Sequence, residues 1–433
     1  MAGPVVHPLL DRDDGTPLFL RPEGPVGAAA FLSAAHALAA ALPPGEHLVN
    51  LCRDRFCFAV GVAAGLIAGR TSLLNLDLSA VAARFPDTVA LADAPQPDCP
   101  LPLVPVEPHP EPVAGAANPL IPADHLAAIV FTSGSTGTPV GHAKRWGELV
   151  GRSRAAAAQF RLRGGSVVGM VPPQHMYGFE TTVLLPFHAP VASWCGPAFF
   201  PADVAAALAA CPAPRTLVTT PLQLRTLLGA GLDLPLSAAV SATAPLDTAL
   251  AAEAEARWNA PVLEIFGATE CGSIASRRNT DGPDWTPYPG ITLHIEDTGT
   301  VVLCADAPPV PLADLLQPTI GGNFRLLGRR TDLVKLAGRR ASLLGLNQAL
   351  VGLPGVADGA FVVPDDLDHR STARLLAVVV APGRPAPAIL ADLRRVIDPV
   401  FLPRRLIHVD ALPRNEMGKL PRQALLDLVA AAR

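Results

Sequence analysis

The stretch that most constrains this chain is Thr132 to Pro139, TSGSTGTP, because of what flanks it. Before it lies a short apolar run, His125 to Thr132 (HLAAIVFT). After it comes Arg145 to Leu162 (RWGELVGRSRAAAAQFRL), which has helical spacing. Strand, glycine loop and helix, in that order, is the α/β arrangement that presents main-chain N–H groups to an anion. Small residues let the main chain come close to that anion. The loop lacks a Gly-Lys-Ser/Thr ending, and that triplet occurs nowhere in the chain, which excludes a Walker-type ATPase.

The same alternation continues downstream through SVVGMVPP, PRTLVTTPLQLRTLL, AAVSATAPLDTALAAEAEARW and PVLEIFGATE. It predicts parallel or mixed sheets with helices on their faces. After Gly290 the texture changes: ITLHIEDTGTVVLCA alternates with period two and reads as a β-ribbon. A compact βαβ-like tail follows. We expect an α/β fold with a large domain over residues 1–328 and a small, mobile α+β domain over 329–433. The Pro-dense stretch from Pro95 to Asp124 reads as an extended surface crossing within the large domain, since proline cannot donate to a ladder.

Charge is balanced, with 34 basic and 38 acidic residues and no block of one sign, so neither nucleic acid nor an anionic membrane is an expected partner. The longest apolar run, Phe56 to Gly69, is bounded by Arg55 and Arg70 and is too short to span a bilayer. It is expected as a buried helix, with no membrane span. No secretion signal is expected at the N-terminus. Seven scattered cysteines without a Cys-x-x-Cys fit free thiols in a reducing cytoplasm.

Five stretches, in order and in register from about Leu126 to Leu425, resemble the adenylate-forming acyl and aryl ligases. That resemblance implies ATP and Mg²⁺ as cofactors. The first stretch is the glycine loop; Thr132, Ser133, Gly134, Ser135, Thr136 and Gly137 would hold the β- and γ-phosphates. The second is VPPQHMYGFE, where His175, with Gly178 three positions on, would orient the carboxylate or gate its pocket. The third pairs SATAPLD with EIFGATE. Thr243, Ala244 and Pro245 would line the adenine, Phe266 would stack or pack against it, and Gly267 would let the acid approach. Within that GATE stretch, which includes Ala268, Thr269 would touch the α-phosphate and Glu270 would hold Mg²⁺, an ion that needs only one or two protein carboxylates beside phosphate oxygens. The bland alternative for GATE is a helix N-cap with an acid in its first turn.

The fourth stretch would supply a ribose clamp, Asp314 and Arg329, although Leu312-Ala313 replaces the usual Thr-Gly. Thr331 falls at the hinge, where the family usually has Asp or Lys. The fifth ends in Gly418-Lys419, resembling the mobile lysine that closes over the reacting atoms. Family loops place a lysine after the proline, where this chain has Val140. Lys144, with His142 and Arg145 beside it, is the expected substitute, acting from the start of the following helix.

The resemblance implies attack of a carboxylate on the α-phosphorus of ATP, then acyl transfer to a thiol after rotation about residues 329–332. That rotation would bring the loop around Gly338 to the site. Details such as GHAKRW resemble the small ligases of aryl-polyene and xanthomonadin-type pigments. A hydroxybenzoate-type acid and an acyl carrier protein, or CoA, would then be the partners. Arg339 and Arg340 would meet the carrier protein or remain a solvated basic pair. The rivals are a fatty acyl-CoA synthetase and a non-catalytic acyl- or nucleotide-binding protein.

Overall fold

The computed structural model describes residues 3–12, 15–107, 116–132, 139–296, 299–304, 307–329, 332–336, 339–364, 374–414 and 420–431. Two sheets dominate. The six-stranded sheet runs, in spatial order, Val140–Arg145, Leu126–Thr132, Thr71–Leu74, His47–Asn50, Thr88–Ala92 and Leu103–Pro105. Its strands are parallel except for Val140–Arg145 at one edge. In the nine-stranded sheet, Val262–Ala268, Ala238–Ser241, Arg215–Thr219, Ser166–Gly169, Ala192–Trp194 and Phe19–Arg21 form a parallel core, with antiparallel strands outside it. The expected α/β class is therefore the observed one.

Burial follows from the sequence runs. The helix Arg55–Ile67 is buried nearly all round, which explains an apolar run with no polar face. Asp54 caps it by accepting from the Cys57 N–H (3.0 Å). Phe56 and Phe31, from the helix Ala28–Ala41, meet Phe19 of the other sheet in tilted and edge contacts. Arg55 bridges the layers as well: its Nη2 donates to the carbonyls of Gly169 and Val171, each at 3.1 Å. The carboxyl end of the strand Ser166–Gly169 is thereby pinned just before the PPQHMYG stretch.

The described parts of the Pro-dense segment form short strands, one in the six-stranded sheet and one in a separate two-stranded sheet. Leu103–Pro105 is an edge strand, and Leu120–Pro122 pairs with Val6–Pro8, positions where a missing N–H is tolerated. All seven cysteines are free and five are buried. No helix among the described residues is long and apolar enough to cross a membrane.

Beyond residue 332 a separate sheet forms from Asp358–Val362, Leu376–Val380 and Arg405–His408. Alternation along its central strand sends Ala377 and Val379 toward the helices Leu343–Val351 and Ala386–Val396, and Val378 toward the helix Arg422–Ala431. The apolar clusters change over between Phe324 and Val334: Phe324 belongs with Phe266 and Trp285, Val334 with Leu346 and Phe361.

Candidate active site

The expected strand–loop–helix around the glycine loop is corrected to strand–loop–strand. Val140–Arg145 pairs antiparallel with Leu126–Thr132, Val140 lying opposite Thr132, and the helix begins only at Trp146. The strand escaped notice because VGHAKR is polar. It is an edge strand, where basic residues are the usual protection against further pairing. Ser133, Gly134, Ser135, Thr136 and Gly137 lie outside the described residues. The flanks of the loop meet: the Thr132 Oγ1 and His142 Nε2 are 3.1 Å apart. Burial pushes the His142 pKa down, and Glu270 opposes the shift.

Lys144 needs the same correction. It does not start the helix but sits on the edge strand, 3% exposed, and its Nζ donates to the main-chain oxygen of Glu270 (2.7 Å). Burial lowers its pKa, with Cys271, Glu148 and Glu180 pulling the other way. The glycine-loop strand and the Glu270 turn, 126 residues apart, are joined through this ammonium.

Glu270 lies in the turn between Val262–Ala268 and Gly272–Arg278, which form an antiparallel hairpin bulged at Phe266/Gly267. The helix-cap alternative for GATE is thus set aside in favour of a hairpin turn. Gly267 is required by the partner strand, since a Cβ there would stand 2.5 Å from the Gly272 oxygen. It is exposed and faces Ser273 across the ladder. The Phe266 ring packs against Trp285 and Phe324 at 5.6 and 5.7 Å, so packing already accounts for an aromatic residue there.

Behind this hairpin stands Glu180, in a π-helical turn over Glu180–Leu184, a distortion common at functional sites. Its carboxylate accepts from the Ser273 N–H (3.2 Å) and the Ser273 hydroxyl. Burial raises its pKa against the Ser273 bonds and the Arg152 and Lys144 charges.

Thr243 has φ +78°, in a region that a β-branched residue rarely enters. The surrounding loop is over-determined. Glu264 accepts from the Leu246 N–H (2.9 Å), and the Asn279 amide donates to the Leu246 oxygen (2.6 Å). Glu264 is itself paired with Arg277 at 2.6 Å, and the Arg277 guanidinium lies over the Trp285 ring. Strain held this firmly is typical of ligand-binding segments. Ala244 and Pro245 line an open cleft of about 1540 Å³. Asp332, Arg414 and Leu420 line its other side. Thr331, Gly338, Gly418 and Lys419 lie outside the described residues.

His175 caps the short helix Met176–Phe179, its Nδ1 accepting from the Tyr177 N–H (3.2 Å). That bond leaves Nε2 as the proton-bearing nitrogen of a neutral ring. The Tyr177 hydroxyl donates to the Val240 oxygen (2.9 Å), tying this stretch to the Ala238–Ser241 strand. Gly178 has no room for a side chain beside the Pro172 oxygen.

Asp314 and Arg329 are direct partners across the ribbon Asp314–Pro318 and Phe324–Arg329, with Nε and Oδ1 3.5 Å apart. Burial raises the Asp314 pKa, Arg329 opposes this, and the Glu270 charge adds to it, so the two acids face one site. Gly328, at φ +121°, packs on Ser342 of the hairpin that follows.

Thr132, Lys144, Glu270, Asp314 and Arg329 are thus joined by contact or by mutual electrostatics. The motif ends at Thr132, Ser241 and Ala268 are carboxyl ends of sheet strands, where α/β folds bind ligands. Several positions were not singled out as site residues from sequence: His142, Arg152, Glu180, Tyr288 and the Glu264–Arg277 pair. Only His142 left a usable trace, since its i, i+2 spacing with Lys144 marks one face of a strand.

A model of the AMP-binding enzymes matches residues 28–312. The chain belongs to the AMP-binding enzyme family. This AMP-binding enzyme is 31% identical over 300 residues to a 4-coumarate–CoA ligase of Rhodobacter capsulatus, covering 67% of this chain and 74% of that one. Its fold matches ATP-bound MatB from Rhodopseudomonas palustris with a TM-score of 0.81 at 21% identity, over 97% of both chains. It also matches o-succinylbenzoate CoA synthetase from Bacillus subtilis with its acyl-adenylate intermediate (TM-score 0.80, 17% identity, 95% of both chains). The chain thus belongs to the adenylate-forming ligase superfamily, and its α/β fold matches that of the solved structures.

Proposed function

We propose that this chain joins a carboxylic acid to AMP and then passes the acyl group to a pantetheine thiol. The observation that carries this reading is the convergence of Lys144, Glu270, Asp314 and Arg329 from stretches far apart in sequence. A carboxylate oxygen attacks the α-phosphorus, and the bond to the bridging oxygen of pyrophosphate breaks. A thiol sulfur then attacks the acyl carbon, and AMP leaves with the bonding pair. The protein's contribution is to position and to neutralise charge.

In this reading the glycine loop clasps the departing pyrophosphate, and Lys144 supplies the cation missing at Val140. Asp314 and Arg329 hold the ribose. Thr243, Ala244 and Pro245 line the base, with Phe266 behind it, and Thr269 contacts the α-phosphate. His175, with its Nε2–H, orients the acid. Glu270 suits a magnesium ion that arrives with ATP: Lys144 takes its main-chain oxygen and leaves the carboxylate. No three His, Cys, Asp or Glu side chains among the described residues group into a resident metal cage, so phosphate oxygens would complete the shell. Bound there, the ion would offset charge on the phosphates.

The boundary is proposed at 328/329, with the small domain delivering Lys419 for adenylation and withdrawing it for thiol transfer. The finer proposal is a hydroxybenzoate-type acid with an acyl carrier protein as acceptor. Acid-dependent ATP–pyrophosphate exchange tests the core reading, and no exchange with any acid would sink it. Lys419→Ala is expected to lower exchange by about 10²–10³, the scale of one preorganised donor, while sparing transfer from pre-made acyl-AMP. Equal losses in both half-reactions would refute the rotating lysine.

A further inference from the structure

Beneath the Glu270 hairpin is a small cavity of about 20 Å³ lined by Arg152, Glu180, Thr181, Ile265, Ser273 and Tyr288, among others. Two of its polar groups are buried without a partner: the Tyr288 hydroxyl, on a residue 1% exposed, and Nη1 of Arg152, 7% exposed. Native interiors rarely leave such groups unmatched, and each costs free energy unless something arrives to bond it. The volume suits one oxygen-sized group and is far too small for a ring.

The position relates this cavity to the acid. Ser273 is the ladder partner of Gly267, the exposed glycine where the acid is proposed to approach. Ile265 lies two residues further down the same strand. Measured from Thr269 at the reacting end, the cavity wall lies roughly 7–13 Å along the strand, the reach of a one-ring acid.

The geometry points to this cavity as the receptor for a neutral hydroxyl carried by the acid at the end remote from its carboxylate. This rests on the acid-activating reading above and narrows it. A hydroxyl can accept from both the Arg152 Nη1–H and the Tyr288 O–H and donate to Glu180, so it satisfies both orphans at once. A second carboxylate would meet the Glu180 charge, and an unsubstituted ring or alkyl tail would leave both orphans unpaired. Arg152 and Glu180 together thus favour a neutral polar guest over an anion or a hydrocarbon.

Exchange kinetics with benzoate, 3- and 4-hydroxybenzoate, terephthalate and octanoate test this. At least one hydroxybenzoate is expected to exceed benzoate, terephthalate and octanoate in kcat/KM by about tenfold or more, since a site built to bond a hydroxyl rejects analogues that lack it. Tyr288→Phe should cut that hydroxybenzoate-to-benzoate ratio at least tenfold without lowering Tm, because the lost hydroxyl had no partner. Glu180→Gln should raise terephthalate relative to the hydroxybenzoate by a similar factor. Exchange that proceeds without a hydroxyl preference, or a preference that neither variant shifts, overturns the inference and leaves the ligase reading standing. Absence of exchange with every acid overturns both.

Discussion

The Glu270 hairpin, Val262–Ala268 with Gly272–Arg278, and the Asp314 ribbon, Asp314–Pro318 with Phe324–Arg329, are both antiparallel and each carries one bulge. Each presents one acid to the site. Their support differs. The hairpin is held from behind by Lys144 at the Glu270 oxygen, by Glu180 at Ser273, and by the Glu264–Arg277 pair at its base. All of those anchors are buried or nearly so. The ribbon's cross-strand pair joins a buried Asp314 to an Arg329 whose side chain is 55% exposed. The hairpin is thus the more firmly braced of the two, at the place proposed to meet phosphate charge, and the ribbon the less braced, beside the proposed hinge.

The sharpest way to break this contrast is at Glu264. Glu264→Ala leaves Arg277 buried without its carboxylate and frees the Leu246 N–H. Losing one member of a buried pair costs about 3–5 kcal/mol, and urea unfolding should register that loss. The strained loop at Thr243 should lose its hold as well, raising KM for ATP. Replacing both partners, Glu264→Met with Arg277→Met, should recover part of the stability. A loss below about 1 kcal/mol in the single variant would mean that the hairpin is no stiffer than the ribbon.

Lys144→Met ranks second. It keeps most of the apolar stem and removes one charged hydrogen bond, worth about 1.5–3 kcal/mol. Two effects are expected together: a stability loss of that size and a higher KM for ATP with slower exchange. Stability lost with nucleotide kinetics unchanged would make Lys144 a clamp on the Glu270 turn and end its proposed role as the displaced loop cation.

The two hairpins also differ in how much of them could be read from sequence. Period-two alternation exposed the hairpin Ile291–Glu296 with Gly299–Cys304, which precedes the ribbon, whereas Asp314 and Arg329 came from the resemblance as a ribose clamp, and the ladder register brings those two face to face. The α/β alternation was legible for the same reason, since a sheet buried on both faces needs short apolar runs. The Glu270 hairpin was half hidden. GATE has the composition of a helix start, and only the close approach of Gly272 to Gly267 reveals a tight strand pair. Val140–Arg145 was missed because an edge strand need not be apolar. The Glu180–Ser273 and Lys144–Glu270 contacts span 93 and 126 residues, and nothing local in the sequence encodes such pairings.

Arg329 offers the smallest and most discriminating effect. Its pairing with Asp314 is half in water, so Arg329→Gln should cost no more than about 1 kcal/mol of stability, and high salt should shrink even that. Its effect on nucleotide binding should be larger than on unfolding, because the role proposed for Arg329, clamping the ribose, acts on the ligand rather than on the fold. Burial already raises the Asp314 pKa, and Arg329 is the positive charge that opposes this; without it the carboxyl should titrate higher still. Stability then moves in a defined direction. A carboxyl whose folded pKa is raised further binds its proton more tightly in the folded state, so the variant loses stability relative to wild type as pH rises through the carboxylate range. Denaturant titrations of both proteins at several pH values, beside KM for ATP, would separate the two effects. A stability loss matching that of Glu264→Ala would show the ribbon to be as rigidly braced as the hairpin, and the contrast between them would have to be given up.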